Sequence, residues 1–496
     1  MKLKYITIAL VALLFTSCND FLDIRPTGMI IARTGDDYRA LLIDQYHAIP
    51  SDRFWTDLRT DDVVVNFSKS GSQDNIEYDK KNWFEMWNWT DFNRISNFYF
   101  KWQAYYKIIY IANYVIEHKS EIEEATQLEI NQLVGESYML RAYMNFLLVN
   151  IYAPAYTKCE PTSTRGVPLQ LRADVRDVLK CSSVQQVYNQ ILSDIDMAED
   201  YMNVEKWDKG YTYRFSKITA NALRARVALY MGNWQLAYNE ALKVIGKYPQ
   251  LQDLNSESTS PSNYESVESI LALEEEEIDF IINKSFEGFM WASDELMKAY
   301  GYDPQAPLSG SGIRAYIPYE YEDRRIKESE RGNNGIYFGT EDKNKDLTKG
   351  PRYYYYKPLG KDLNAHRCTF RTAEFYLIAS EAANELNNTQ DATKYLKDLI
   401  VKRFTPNSYN KKVALIDAMN QDELREEIFN ERRREFAFQG HRWFDLRRTT
   451  HPEIVREYTE NGVSVTYTLN QKDERYTLRF PIEAVDANPN IEVWPY

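Results

Sequence analysis

The chain has 496 residues and carries 60 Lys and Arg against 73 Asp and Glu, a net charge of −13. Its basic residues are mostly scattered rather than clustered, which argues against the phosphate-matching basic face that a nucleic-acid partner needs. Aromatics make up 14% of the chain, with 38 Tyr, 22 Phe and 10 Trp, so a surface offering flat rings beside hydrogen bonds is expected.

Lys2 and Lys4 precede an apolar run of 11 residues, Tyr5 to Phe15, and Thr16-Ser17-Cys18 follows. The run is shorter than the about 20 apolar residues a spanning helix requires, so a secretory signal peptide fits. Small residues directly before a cysteine make it look like a bacterial lipoprotein signal, with Cys18 as the acylated mature N-terminus. Phe15 departs from the usual leucine of that pattern, and an ordinary signal peptide with an incidental cysteine is the alternative. A lipid on Cys18 would place the protein at a membrane surface without crossing it. Residues 1–17 are thus expected to be removed, and residues 18–35, punctuated by Pro26, Gly28 and Gly35, to form a tether.

Helical periodicity dominates next. Trp102, Tyr105, Tyr106, Ile109, Ala112, Asn113 and Ile116 fall on one helix face. Further helices are expected from about Glu129 to Tyr152, stopping before Pro154, and from Val184 to Met202 with Ser182 or Ser183 as N-cap. Phe215–Tyr248 reads as two helices broken at Gly232-Asn233. Within it Ala225, Gly232, Ala237 and Pro249 follow at intervals of 7, 5 and 12, which resembles the tetratricopeptide pattern of close-packed helix pairs. Phe370–Phe404 is a looser copy, and Trp102–Tyr152 is a third candidate hairpin. The expected class is mainly α: tetratricopeptide-like pairs forming an α-solenoid scaffold. Residues 250–369, rich in Pro and Gly and holding the Tyr353–Tyr356 run, read as an inserted loop-rich lobe with short strands. Gln421–Phe438 is a further helix, and the tail from Val463 holds a hairpin before Pro481. Residues 36–496 are read as one domain.

Cys159, Cys181 and Cys368 remain once Cys18 is set aside, an odd number in which Cys159 and Cys181 are free to pair in an oxidising compartment. No zinc-ligand spacing occurs. The acidic stretch Glu341–Asp346 lacks the EF-hand glycine and carries two lysines. No metal and no cofactor is expected.

Several segments together resemble the SusD/RagB family of outer-membrane nutrient-binding lipoproteins. They are Ser17–Asp23, Glu136–Tyr143 with its Arg141-Ala142-Tyr143 centre, Gly166-Val167-Pro168-Leu169, Glu431–Arg448, Phe480-Pro481-Ile482 and Asn488-Pro489-Asn490. The resemblance implies a helical protein with a variable ligand lobe that captures oligosaccharides, or in some branches peptides. It implies delivery to a SusC-like TonB-dependent outer-membrane transporter, which the protein would cap like a lid, and a lipid-anchored location facing the cell exterior.

Glu431–Arg448 holds Glu431, Glu435, His441, Asp445 and six arginines. An enzyme would use His441 as a base oriented by Asp445, but no nucleophile or metal motif accompanies them. Arginine forks locking a corner explain the same composition. The acid pairs Glu274–Glu277 and Asp61-Asp62 are what a surface glycoside hydrolase would need, yet such pairs are common in so acidic a chain. No enzyme activity is expected. Ligand contact is expected instead from Trp83, Glu85, Trp87, Asn88 and Trp89, where indoles can stack on sugar faces and polar neighbours can bond hydroxyls. Filling of a groove between helices is the other use of these tryptophans. Trp291, Tyr353 and Tyr355 are further candidates, because strand alternation puts only half of the tyrosine run on one face.

Overall fold

The computed structural model describes residues 32–65, 83–90, 100–256, 260–274, 290–301, 322–325, 335–339, 353–357, 367, 369–460 and 463–491. Cys18 and its leader, Cys368, Glu277 and the stretch Glu341–Asp346 lie outside them.

The chain is mainly helical with short strands. After α1 (Gly35–His47) come a 3-10 segment at Asp52–Arg59, strand β1 (Val63–Val65) and a single turn, α2 (Glu85–Trp87). Helices α3 (Trp102–Glu117) and α4 (Gln127–Tyr152) form the first long hairpin. α4 starts at a capping box: Thr126 Oγ1 accepts from Glu129 N, and Glu129 Oε2 accepts from Thr126 N at 2.7 Å. β2 (Arg165–Pro168) and β3 (Cys181–Ser183) make a small ribbon before α5 (Val184–Tyr201), where Ser183 and Gln186 build the same box.

The repeat signal corresponds to two hairpins with the same turn chemistry. Between α6 (Lys217–Met231) and α7 (Trp234–Lys247), Gly232 adopts φ +69° and Asn233 caps the next helix. Between α9 (Thr372–Glu385) and α10 (Thr389–Ile400), Asn387 adopts φ +60° and Asn388 caps. Gly and Asn tolerate this left-handed conformation, and α9 packs against α7 to stack the pairs. Helices α11 (Pro406–Ile416), α12 (Gln421–Glu435) and α13 (Arg442–Arg448) follow.

Strand β4 (Ser269–Leu271) pairs with β8 (Phe370–Arg371), so the chain leaves the helical scaffold and returns to the same place. Within that excursion lie β5 (Met290–Ala292), α8 (Asp294–Ala299), β6 (Gly335–Gly339) and β7 (Tyr353–Lys357). With β1 these form an antiparallel sheet in the order β1-β5-β7-β6. A second hairpin, β9 (Ile454–Glu460) and β10 (Val463–Leu469), precedes α14 (Ile482–Ala487). It begins nine residues before the expected Val463, because buried Arg456 interrupts the apolar alternation that would have disclosed β9.

One apolar core runs from Tyr38 on α1 to Phe480, and a smaller cluster sits between α9, α10 and α12. Cys159 and Cys181 are not joined by a disulfide. Among the described residues no helix is long and apolar enough to cross a membrane.

α4 and α5 meet closely at Gly135, where an added Cβ would lie 2.4 Å from Met202 Cγ and 2.8 Å from its backbone nitrogen. Gly135→Ala is therefore expected to cost about 1–3 kcal/mol by overpacking, measured as a lower denaturant midpoint with unchanged slope.

Candidate functional site

The arginine-rich segment folds into a buried corner between α12 and α13. Glu435 is its centre. Arg403 reaches it through Nε at 2.9 Å and Nη2 at 2.8 Å, Arg371 through Nη1 at 2.5 Å, and Arg325 through Nη1 at 2.8 Å. Arg403 and Arg371 also hold Glu268, at 2.6 and 3.3 Å. Arg325 and Arg434 each lie 2.6 Å from Glu431. Burial raises the Glu431 carboxyl, but Arg325 and Arg434 outweigh it and hold the group at about 2. Burial is likewise outweighed by Arg403 and Arg371 at Glu435, which is lowered.

His441 is not poised as a base. Asp445 accepts from Arg432 Nε at 3.1 Å and Arg448 Nε at 2.8 Å. The His441 ring stacks on Phe436 at 4.4 Å. Burial and then the nearby charges of Arg53 and Arg226 keep its pKa far below the ordinary value. The other candidate acids are consumed too. Glu274 accepts from Arg53 Nε at 2.9 Å and Tyr143 Oη at 2.7 Å. Asp61 is gripped by Arg442 at 2.8 and 2.9 Å, and Asp62 by Arg433 at 2.6 Å.

The tryptophan cluster differs from its expected role. Trp83 is 3% exposed and stacks on Trp55 at 4.3 Å; Trp87 and Trp89 are 0% exposed. Trp87 Nε1 donates to the Val63 carbonyl and Trp89 Nε1 to the Arg59 carbonyl, both at 3.0 Å. The Arg456 guanidinium lies 4.8 Å from the Trp87 ring and 4.3 Å from that of Trp89. It donates to the carbonyls of Leu58, Thr60 and Trp87. Asn88 is buried, with Oδ1 accepting from Thr90 N and Oγ1; Glu85 alone of the five is half-buried. These indoles are a buttress: the N–H groups of Trp87 and Trp89 are satisfied inside, and all three rings are buried.

What they support is β1. Val63 and Val65 are buried, whereas Val64 is 37% exposed. Val64 is the register partner of Trp291; Val63 partners Ala292, and Ala292 partners Tyr354. Tyr355 in turn partners Tyr337. Paired residues share a face and neighbours along a strand alternate. Trp291, Tyr353, Tyr355 and Tyr337 therefore occupy the same face as exposed Val64, and Tyr354 the face of buried Ala292. Three distant candidates thus meet on one face. Tyr337, absent from the sequence-based set, was signalled only by the short Gly335–Gly339 run.

The sheet is tied to the corner. Ser293, at the end of β5, donates through Oγ to the Asp61 carbonyl at 2.6 Å and through N to the Asp62 carbonyl at 2.8 Å. Both aspartates are those held by Arg433 and Arg442. Among the described residues no cluster of His, Cys, Asp and Glu is arranged to hold a metal.

A stack of helical hairpins, with a small antiparallel sheet in the excursion between β4 and β8, defines the class of scaffold. The model of the SusD family matches residues 184–496, and a model described as "Starch-binding associating with outer membrane" matches residues 20–229. The chain belongs to the SusD family. A SusD-like protein of Formosa agariphila is 25% identical over 504 residues, spanning 90% of this chain and 92% of its own. A SusD superfamily structure from Bacteroides thetaiotaomicron superposes with a TM-score of 0.67 at 22% identity, covering 93% of this chain and 100% of its own. A laminarin-binding SusD-like protein shares the fold with a TM-score of 0.58 at 18% identity, covering 94% and 100%.

Trp87→Ala is expected to act as a core deletion, costing about 3–5 kcal/mol, read by denaturant unfolding. Glu435→Gln should cost about 3–5 kcal/mol at neutral pH, because three arginines lose their shared charge. The unfolded carboxylates protonate near 4.5, and the folded Glu431 near 2. Stability from this group is thus full above about pH 4.5 and falls as the pH drops toward 2. Thermal midpoints across pH 6 to about 2 should show that acid loss.

Proposed function

We propose that this chain binds a neutral glycan at the cell surface and passes it, uncleaved, to a SusC-like TonB-dependent outer-membrane transporter. The observation that carries this reading is the shared face of Trp291, Tyr353, Tyr355 and Tyr337 beside exposed Val64. Aromatic residues that the register puts on one sheet face would suit the axial C–H faces of sugars. The carboxylate of half-buried Glu85 would accept hydrogen bonds from sugar hydroxyls. The segment from about 250 to 369 is the ligand lobe in this reading, and residues 36–496 are its single domain.

Family membership supports the reading, and one structural neighbour is itself named for binding laminarin. The description of the family matched by residues 20–229 supports an outer-membrane location. Lipidation at Cys18 would hold the protein there, facing outward, and residues 18–35 would tether it as it closes over the barrel. Cleavage is disfavoured by the corner: its carboxylates are ionised and committed to arginines, whereas a glycosidase acid must hold a proton at working pH.

Titration of the mature protein against a glycan panel, with product analysis, tests this. Trp291→Ala should lower glycan affinity about tenfold, equivalent to 1.4 kcal/mol, while leaving the thermal midpoint near that of the parent. Released sugar products would make the protein a hydrolase. Binding of peptides and of no glycan would make it a peptide-capturing member of the family. Affinity unchanged in Trp291→Ala would move the site off the sheet. Co-purification with an outer-membrane barrel tests the transporter partnership separately.

A further inference from the structure

A cavity of about 330 Å³ opens on the helical scaffold where the α6–α7 turn, the end of α9, the middle of α12 and the end of α13 meet. None of its lining residues lies on the strand platform. Its chemistry is balanced: the cations Lys158, Arg425 and Arg448 face the carboxylates Glu381, Glu385 and Glu426. Two of the carboxylates are already engaged. Arg448 Nη2 donates to Glu381 at 2.8 Å, and Arg425 Nε donates to Glu385 at 2.5 Å.

A charged ligand would have to break one of these pairs, or meet Lys158 or Glu426 alone, and with three charges of each sign around it would find no net field to reward it. A neutral polyol needs neither, because paired carboxylates keep lone pairs free and a guanidinium has five donors. The hydroxyls point the same way. Thr157 Oγ1 donates to the Arg448 carbonyl at 2.8 Å, and Thr449 Oγ1 to that of Asp445 at 2.6 Å. With those protons spent inward, both oxygens are left as acceptors. The half-buried rings of Trp234 and Phe429 supply the apolar surface beside Leu229.

The ion pairs also fix the walls. Glu381 and Glu385 are one turn apart on α9, and Arg425 and Phe429 one turn apart on α12. Polar groups held rigidly before binding lose little entropy on complex formation. The volume is at the low end for ligand pockets, suited to one or two sugar rings. We propose that this cavity is a second saccharide site, specific for a neutral mono- or disaccharide and independent of the sheet.

The test uses the mature chain carrying Trp291→Ala, Tyr353→Ala and Tyr355→Ala, with the unsubstituted chain in parallel. Saturation-transfer NMR is recorded with maltose and laminaribiose, and with glucuronate and glucosamine as charged probes. A neutral disaccharide should still receive saturation from the triple variant. Adding Trp234→Ala should reduce that signal about tenfold. So should Thr450→Tyr, which fills the cavity mouth from an exposed position and spares the core. No transfer to the triple variant, transfer that both cavity substitutions leave intact, or equal transfer to the charged probes would overturn the proposal. A failure of the sheet as a platform reads differently: the three sheet substitutions would then change nothing in either cavity background.

Discussion

The structure depends on guanidinium–carboxylate pairs formed out of water. Removing an ion from water costs several kcal/mol, and its partner repays that only when the geometry is good and the remaining donors and lone pairs are filled. The corner meets that condition by sharing. Glu435 serves Arg325, Arg371 and Arg403 together, and Arg403 also reaches Glu268 and the Gln252 carbonyl. The network therefore works as a register device. Each arginine finds its full set of partners only when α12, β8, the end of α10 and the Glu268 segment are all in place. Nearby, Arg226–Glu374 and Arg53–Glu274 repeat the device, joining α6 to α9 and the 3-10 segment to the end of the β4 stretch.

From that corner, positional information passes outward to the sheet. Arg433 and Arg442 hold Asp61 and Asp62; these hold Ser293; and β1 and β5 begin or end within two residues of those contacts. Arg456 completes the seat from the other side, clamping three carbonyls and two indoles, and Gly440 lets the corner approach closely. Gly440 has φ +67°, its N–H donates to Asp57 at 2.8 Å, and a Cβ there would meet the Arg53 backbone at 3.1 Å. A sheet made of short strands has little stability of its own. Here its edge is fixed by side chains rooted in the helical scaffold.

The sequence disclosed the parts of this arrangement that are local. The N-cap of α5 at Ser183, the Gly232-Asn233 turn and the helix faces all follow from residues within one or two turns of each other. The arginine corner was legible as composition, because six arginines with interleaved acids have few other uses. What sequence could not disclose was which indoles face inward. Trp87 and Trp89 carry the same residue type and polar neighbours that a sugar site would. Their burial is decided by the carbonyls of Val63 and Arg59, and by an arginine some 370 positions away. The shared face of Trp291, Tyr353 and Tyr355 was hidden for a related reason. Alternation told which tyrosines go together, but strand pairing supplied the partner strands.

The same electrostatics bear on why a fold so rich in acids need not be an enzyme. A general acid for glycoside cleavage must keep its proton near neutral pH, which burial in an apolar pocket promotes and a neighbouring cation opposes. At Glu431, Glu435, Asp445 and Asp61, burial is present, but arginines outweigh it and the carboxyls stay ionised. Asp62 is the exception in direction, raised by burial and by its neighbour Asp61. It is 1% exposed, however, and tied to Arg433 beneath β1. The one carboxyl of these five that is shifted upward is thus buried, while the other four are shifted downward. The arginine pairs that build the corner also commit Glu431, Glu435, Asp445, Asp61 and Asp62 to structural roles.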